Sequence, residues 1–455
     1  MKKNSLLLLL LFSFVLNAQN PMILRVNALG GTNNVHIKLV ATGVSSGGPW
    51  SFPYTFVKAN DPTVTGGGNA TLSATEKIMF PEPGEYIFSL YPSSNNHNFA
   101  FQFNSSQLNQ GDRAKILEII QWGNMNWSEN ISRMFQSCTN LVISATDIPD
   151  FSQVTDMSYL FSDCSSLTTV PNIDQWQTSN VTNIDGMFSS CSSFNQNISA
   201  FDISSITSFM GLFYGCSSFN QPLTWNTAAI TEMNSMFSYA TSFNQDISNW
   251  NVSSVTNMEN MFSGASSFQQ DISAWDVSNV FSFANMFANA TSFNHRLGEW
   301  DLISAVNING MLYNAGLSCE NYSLTLKGWS EGSFTPHSLS LDSTGRSYGL
   351  QGKIYRDVLV NDKNWNITGD IYNASCILST KENALKTLFT YPNPTTGILY
   401  LKANKKEQLT LINQAGQVIR NIHVVAGENQ INISDLAAGV YFLKGLNLTH
   451  KILKK

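Results

Sequence analysis

The chain has 455 residues, 43% of them hydrophobic and only 12% charged, with a formal charge of −6. That apolar content excludes a disordered chain, and the length exceeds one ordinary core unless a repeat array grows lengthwise. Between Met134 and His295 there is no Lys or Arg but there are 12 carboxylates. Such a surface has no cations to displace counterions from phosphate, which excludes nucleic acid as a partner of that stretch.

Residues 1–18 read as a signal peptide. Lys2 and Lys3 precede an apolar run, Leu6 to Leu11 with Phe12, Phe14 and Val15, and Asn17-Ala18 is the expected cleavage point. No later run of about 20 apolar residues appears, so no transmembrane segment is expected in the mature chain. Residues 19–110 are rich in short β-forming runs, such as His36 to Val40 and Tyr86 to Leu90. Turn clusters at Gly66-Gly67-Gly68 and Pro81 to Gly84 separate them. The pattern predicts a small β-sandwich-like module.

From 111 to 318 one phrase returns about every 25 residues. Phe188, Phe213, Phe237, Phe262 and Phe287 mark it, with Leu312 last, and an aromatic opens each unit: Trp176, Phe201, Trp225, Trp250, Trp275 and Trp300. A fixed period of this size implies units that stack on their neighbours. Val255, Met258, Met261-Phe262 and Ala265 are spaced as one face of a short helix, and Phe268 to Ser273 as a short strand. The expected fold class is therefore α+β: a right-handed leucine-rich-repeat-like solenoid of about eight coils, each a short strand plus a short helix. Residues 319–376, which leave the repeat, are its expected cap. Met261 to Phe268 and Asn251 to Met258 resemble the repeat of BspA-like leucine-rich-repeat surface proteins. Gln121-Trp122-Gly123 with Ser144 to Pro149 resembles that family's opening segment. Tyr322 to Trp329 and Asn364 to Thr368 resemble its closing one. The resemblance implies a secreted or surface interaction protein and supplies no catalytic residue.

Residues 377–388 read as a linker. Lysine then becomes common, and alternating strands between Gly416, Gly427 and Gly439 predict a compact all-β module over 389–455. Tyr391-Pro392-Asn393-Pro394-Thr395-Thr396-Gly397, Asn413 to Gln417, Leu436 to Phe442 and Lys454-Lys455 resemble the type A C-terminal sorting domain of the type IX (Por) secretion system of bacteroidetes. The resemblance implies a sorting signal carried by Tyr391, Pro392, Asn393, Pro394, Gly397, Gly416, Gly439, Lys454 and Lys455. It also implies the type IX machinery as a partner, and release or attachment at the outer cell surface.

Four cysteines, Cys138, Cys164, Cys191 and Cys216, share a slot that later units fill with Ala. That alternation argues for a small buried position rather than a metal ligand. Cys319 and Cys376 flank the cap and are expected to form a disulfide in an exported chain. The Asn and Gln rows suggest coil-to-coil amide bonding, and the regular Trp row suggests buried packing. A candidate binding face remains at Asn197, Asp246, Asp271 and Arg296, whose types vary between coils, together with Asn220 and Asn244 of the Asn row. No nucleophile motif, phosphate loop or metal-spaced His set occurs, so no enzyme activity, cofactor or metal is expected. The expected function is a non-catalytic binding or adhesion scaffold for an extracellular protein or polysaccharide. The alternative is a carbohydrate-binding module using the polar Asn/Gln face.

Overall fold

In the computed structural model the described residues are 20–28, 36–37, 40–41, 52–70, 77–92, 101–102, 113–332, 335–376, 389–391, 394–403, 406–445 and 448–455. The predicted signal peptide 1–18 and linker 377–388 lie outside them. Met22–Asn27 and Glu85–Leu90 alternate buried and half-buried residues. Met22, Leu24 and Val26 face Tyr86, Phe88 and Leu90 in the core while the intervening side chains are half-buried. The two strands pair antiparallel from Met22↔Leu90 to Asn27↔Glu85. They belong to a six-stranded sheet, in the order 142–143, 116–121, 22–27, 85–90, 52–58, 61–70.

That sheet runs straight into the repeats. Ile116–Gln121 pairs antiparallel with Met22–Asn27 and parallel with Val142–Ile143, a segment of the following coil. Gly123 makes the junction close. Its φ is +71°, and a Cβ there would lie 2.4 Å from the Pro21 backbone. Asp147 accepts the backbone N–H groups of Trp122 (3.0 Å) and Gly123 (2.8 Å). One hydrophobic core joins the sheet, the repeats and the closing segment.

The predicted helix of each coil does not form, and this overturns the expected α+β helix-and-strand solenoid. Among the described residues the only two α-helices are in the closing segment, and the chain is otherwise strand and turn. The backbone bonds show why. The N–H groups of Met258, Asn260, Phe262 and Gly264 donate to Ser282, Ala284, Met286 and Ala288 of the next coil, at 2.7–2.9 Å. The intervening N–H groups of Met261, Ser263 and Ala265 close turns onto Met258, Asn260 and Phe262. A three-residue apolar spacing is thus met by consecutive tight turns whose alternate N–H groups point along the stack. In every coil the residues two before and two after the Phe262 position have positive φ, which an α-helix forbids. Gly or Asn fills many of these: Gly186, Gly211, Asn260, Asn285 and Gly310 before, Gly215, Gly264, Asn289 and Asn314 after. The predicted strand, Phe268 to Ser273, does not form either; single parallel bridges between coils, such as Glu232↔Asn257 and Asn257↔Ser282, lie instead in the stretch whose spacing predicts a helix.

Inside the stack run two phenylalanine ladders. Phe237, Phe262 and Phe287 stack at 5.8 Å between coils, Phe243, Phe268 and Phe293 at 6.0–6.1 Å, and each coil's pair at 3.8–4.0 Å.

The closing segment has α1 (Cys319–Glu331), capped by Ser318, whose hydroxyl accepts the Asn321 N–H, and α2 (Leu350–Asn361). A Cys319–Cys376 disulfide ties the segment's two ends. The short parallel pairs 340–342 with 366–368, and 347–348 with 371–372, complete it.

Residues 389–455 form an all-β unit with its own core, including Leu399, Leu401, Leu409, Leu411, Ile431, Leu443 and Ile452. One sheet has Ile398–Ala403 between Phe389–Tyr391 and Gly427–Asn432. The other has the order 418–424, 407–413, 439–445, 448–454.

Candidate functional site

The structure divides the predicted binding face into two rows with different jobs. Asn220 and Asn244 belong to an amide ladder. Asn195 Oδ1 accepts the Asn220 N–H (2.9 Å) and the Gln221 amide (3.0 Å). Asn220 Oδ1 accepts Asn244 N–H (3.0 Å) and Gln245 (2.9 Å), and Asn244 Oδ1 accepts Gln269 N–H (3.0 Å) and Gln270 (2.8 Å). These side-chain oxygens are occupied in holding coil to coil.

Asn197, Asp246, Asp271 and Arg296 form a column two residues further on, all exposed. Asn197, Asp246 and Asp271 each turn the chain by accepting the N–H of Ser199, Ser248 or Ser273 at 2.7–3.0 Å. Asp150, Asp202 and Asp276 do the same at other corners. The serine hydrogen bonds hold these carboxyls below the usual Asp range. The backbone N–H is the larger cause at Asp246 and Asp202, and the serine hydroxyl at Asp150, Asp271 and Asp276. A pKa depressed in the fold means the unfolded chain binds more protons near and below the ordinary value of 3.8. The stabilisation is therefore complete above that value and is lost as the pH falls through the lower folded values. Half-buried Asp185 is shifted the opposite way, raised mainly by desolvation, and opposes the trend. We expect the urea midpoint to fall between about pH 5 and about pH 3, and a combined Asp202→Asn, Asp246→Asn, Asp271→Asn, Asp276→Asn variant, which keeps the turn acceptors, to flatten that slope. An unchanged slope would place the pH dependence in other carboxylates.

The tryptophan row, Trp176, Trp225, Trp250, Trp275 and Trp300, is buried. Trp250, Trp275 and Trp300 donate their indole N–H groups to Leu223, Ile247 and Ile272 carbonyls, which leaves no ring face open for a sugar. Cys138, Cys164, Cys191 and Cys216 are fully buried, and desolvation pushes their thiols up. The last three donate S–H to Phe135, Phe161 and Phe188 carbonyls at 2.9–3.1 Å.

The open surface is instead the outer wall of the turn ladder. Five positions per coil lie along it, five, three and two residues before the Phe262 position and one and two after it; small residues there, such as Ser238, Ser263, Ser282 and Ala288, are buried, whereas carboxylates are half-buried and Tyr214 and Tyr239 stand out. These positions carry Asp156, Asp185, Glu232 and Glu259 together with Tyr159, Tyr214 and Tyr239. Tyr214 is 39% exposed and Tyr239 53%, with ring centroids 5.8 Å apart at 75°. At the start of the wall the Arg133 guanidinium lies 4.3 Å over the Tyr159 ring. Residue spacing alone did not single out Tyr214 or Tyr239, because in most other coils the first position holds Gln, Ser or Ala and the second Ser, Asp, Gly or Asn.

In the 389–455 unit, distant parts of the predicted sorting signal converge. Lys454 lies opposite Gly439 in the antiparallel pair 439–445 with 448–454. Thr395 bridges the other edge of that strand: its N–H donates to Leu453 O (2.8 Å) and its carbonyl accepts the Lys455 N–H (2.9 Å). The Thr395 side chain, essentially inaccessible, donates to Ile398 O (2.9 Å) and accepts the Gly397 N–H (3.1 Å). Gly397 in turn packs on Ser434, where a Cβ would meet the serine side chain at 2.8 Å, and its carbonyl accepts the Ile433 N–H. Tyr391 sits in the strand paired with Ile398–Ala403, and Pro394 lies beside Thr395; Pro392 and Asn393 lie outside the described residues. Gly416 is elsewhere, with φ +80° in the hairpin between 407–413 and 418–424.

Residues 129–224 and 223–325 match a family described as "Mycoplasma protein of unknown function, DUF285". Residues 390–455 match the "Secretion system C-terminal sorting domain". No curated protein and no solved structure matches the chain. The C-terminal match marks the protein for export by the type IX secretion system, and no helix among the described residues is long and apolar enough to cross a membrane.

Proposed function

We propose that this exported protein is a non-catalytic binding scaffold of the cell surface, whose contact surface is the outer wall of the stacked coils and whose partner is a cationic protein. The observation that carries the reading is the wall's composition: exposed tyrosines among carboxylates, on a stretch from Met134 to His295 without one Lys or Arg. Tyrosine faces beside carboxylates suit guanidinium groups, by cation–π attraction and ion pairing together. Arg133 over Tyr159 supports this from within the chain. The carbohydrate alternative loses support, because its aromatic row is buried and its amide row is spent between coils.

The test is binding of the secreted protein to an arginine-rich peptide and to a neutral glycan array, each at low salt and at about 0.3 M salt. Peptide binding that weakens with salt, and falls roughly 2–5-fold on Tyr214→Ser or Tyr239→Ser, is expected for exposed cation–π contacts. Salt-independent glycan binding, with no peptide binding, would reject the reading.

A further inference from the structure

The sorting domain presents its last strand already docked, and the residues holding it there are those of the domain's opening turn. From this we infer that the export machinery reads a folded corner, in which Thr395 positions Lys454 and Lys455, and not a detached linear tail. The inference rests on the sorting-domain reading and adds what is recognised.

Two edges fix the strand. On one side, 448–454 pairs along its length with 439–445, from Gly439↔Lys454 to Gly445↔Leu448. On the other, Thr395 brackets Leu453 and Lys455 with two backbone bonds. The bracket is itself rigid. A buried threonine hydroxyl that both donates and accepts fixes the turn 395–398, and Gly397 seats that turn on Ser434, in the turn just after the strand 427–432. Releasing the strand from this bracket would take the partners from two carbonyls, of Leu453 and Thr395, and from two N–H groups, of Thr395 and Lys455, and would expose Ile452, which is fully buried. Docked, Lys455 and Lys451 are exposed and Lys454 is half-buried beside them. Lys454 Nζ donates to the Lys455 carbonyl at 2.7 Å. The corner is a compact basic surface, and the receptor it fits is an acidic surface of the export machinery.

Locking the strand separates the two mechanisms. Val440 and Leu453 are directly opposed, and both face away from the core while their neighbours Tyr441 and Ile452 face into it. Opposed residues of this kind bring Cβ atoms to about the separation a disulfide needs. The full chain carrying Val440→Cys with Leu453→Cys is expressed in its natural host. Periplasmic and surface-plus-medium fractions are compared with each single variant and with a chain lacking 390–455. The deletion tests the sorting-domain reading by itself: it is expected to stay in the periplasm. The oxidised double variant is expected to be exported as well as the single variants. Periplasmic retention of the oxidised double variant, relieved by reductant, would show that the strand must detach and would overturn the inference. A second arm uses Thr395→Val, which removes the hydroxyl bonds at constant volume, and Thr395→Ser, which restores them. Export is expected to drop several-fold in the first and recover in the second. Wild-type export by Thr395→Val, with hydrogen exchange showing the 453–455 amides freed, would also overturn it.

Discussion

Phe262→Ala is expected to cost about 3–5 kcal/mol, the range for emptying a fully buried phenylalanine site. The ring is inaccessible and lies between Phe237 and Phe287 at 5.8 Å each and against Phe268 at 4.0 Å. Its backbone N–H bond to Met286 survives the substitution, so the loss comes from packing alone. In a stack, stability is close to a sum of unit and nearest-neighbour contributions. Removing one rung therefore weakens two interfaces at once and should let the coils on either side open separately. The measurement is a urea titration paired with hydrogen exchange at Gly264 and Phe287, whose amides should lose protection first. Phe281→Ala serves as the comparison. Phe281 is 43% exposed, and its loss should change stability by no more than about 0.5–1 kcal/mol. Equal effects of the two substitutions would mean that the ladder is not the core of the stack.

The same rung shows what the sequence could and could not reveal. Period, direction of burial and the apolar positions were legible, because the side chains that recur, Met258, Met261, Phe262, Ala265 and Phe268, are those that fill the interior. The backbone conformation was not legible from that spacing, since steps of three suit a helix face and a series of tight turns alike. The distinguishing signal was present in Gly and Asn at the two positive-φ positions, but Arg133, Tyr159 and Tyr239 occupy the same positions in other coils and blur it. Among the site residues, Asn220 and Asn244 recur because each must bond the next coil, so their regularity marked structure. In the sorting domain the opening motif and the paired lysines were each recognisable. Their contact through Thr395 was not, because about 60 residues of strand and turn separate them and register decides the pairing.

Asp370→Ala is the second substitution with a large expected effect, and it acts at the opposite end of the stack's core. The Asp370 side chain is 1% exposed. It accepts Arg356 Nε at 2.8 Å and Arg356 Nη2 at 2.9 Å, and the buried Tyr322 hydroxyl at 2.9 Å. The pair joins α2 to the last turn of the chain before the disulfide, and the tyrosine joins α1 to both. Removing the carboxylate leaves a half-buried guanidinium with, among the described residues, the Ile367 carbonyl (2.8 Å) and the Tyr348 ring (5.4 Å), and takes the Asp370 acceptor from the buried phenol. Breaking a buried pair on one side typically costs about 3–5 kcal/mol, whereas replacing both partners with apolar groups of similar size is often close to neutral. The double variant Arg356→Met with Asp370→Leu should therefore be more stable than Asp370→Ala, although it carries more changes. A thermal or urea comparison of Asp370→Leu, Arg356→Met and the double variant measures the coupling directly, with Asp370→Ala as the one-sided break. A double variant as unstable as the sum of the single ones would mean that the two groups act independently, and that the closing segment is held by α1, α2 and the Cys319–Cys376 bond without this ion pair.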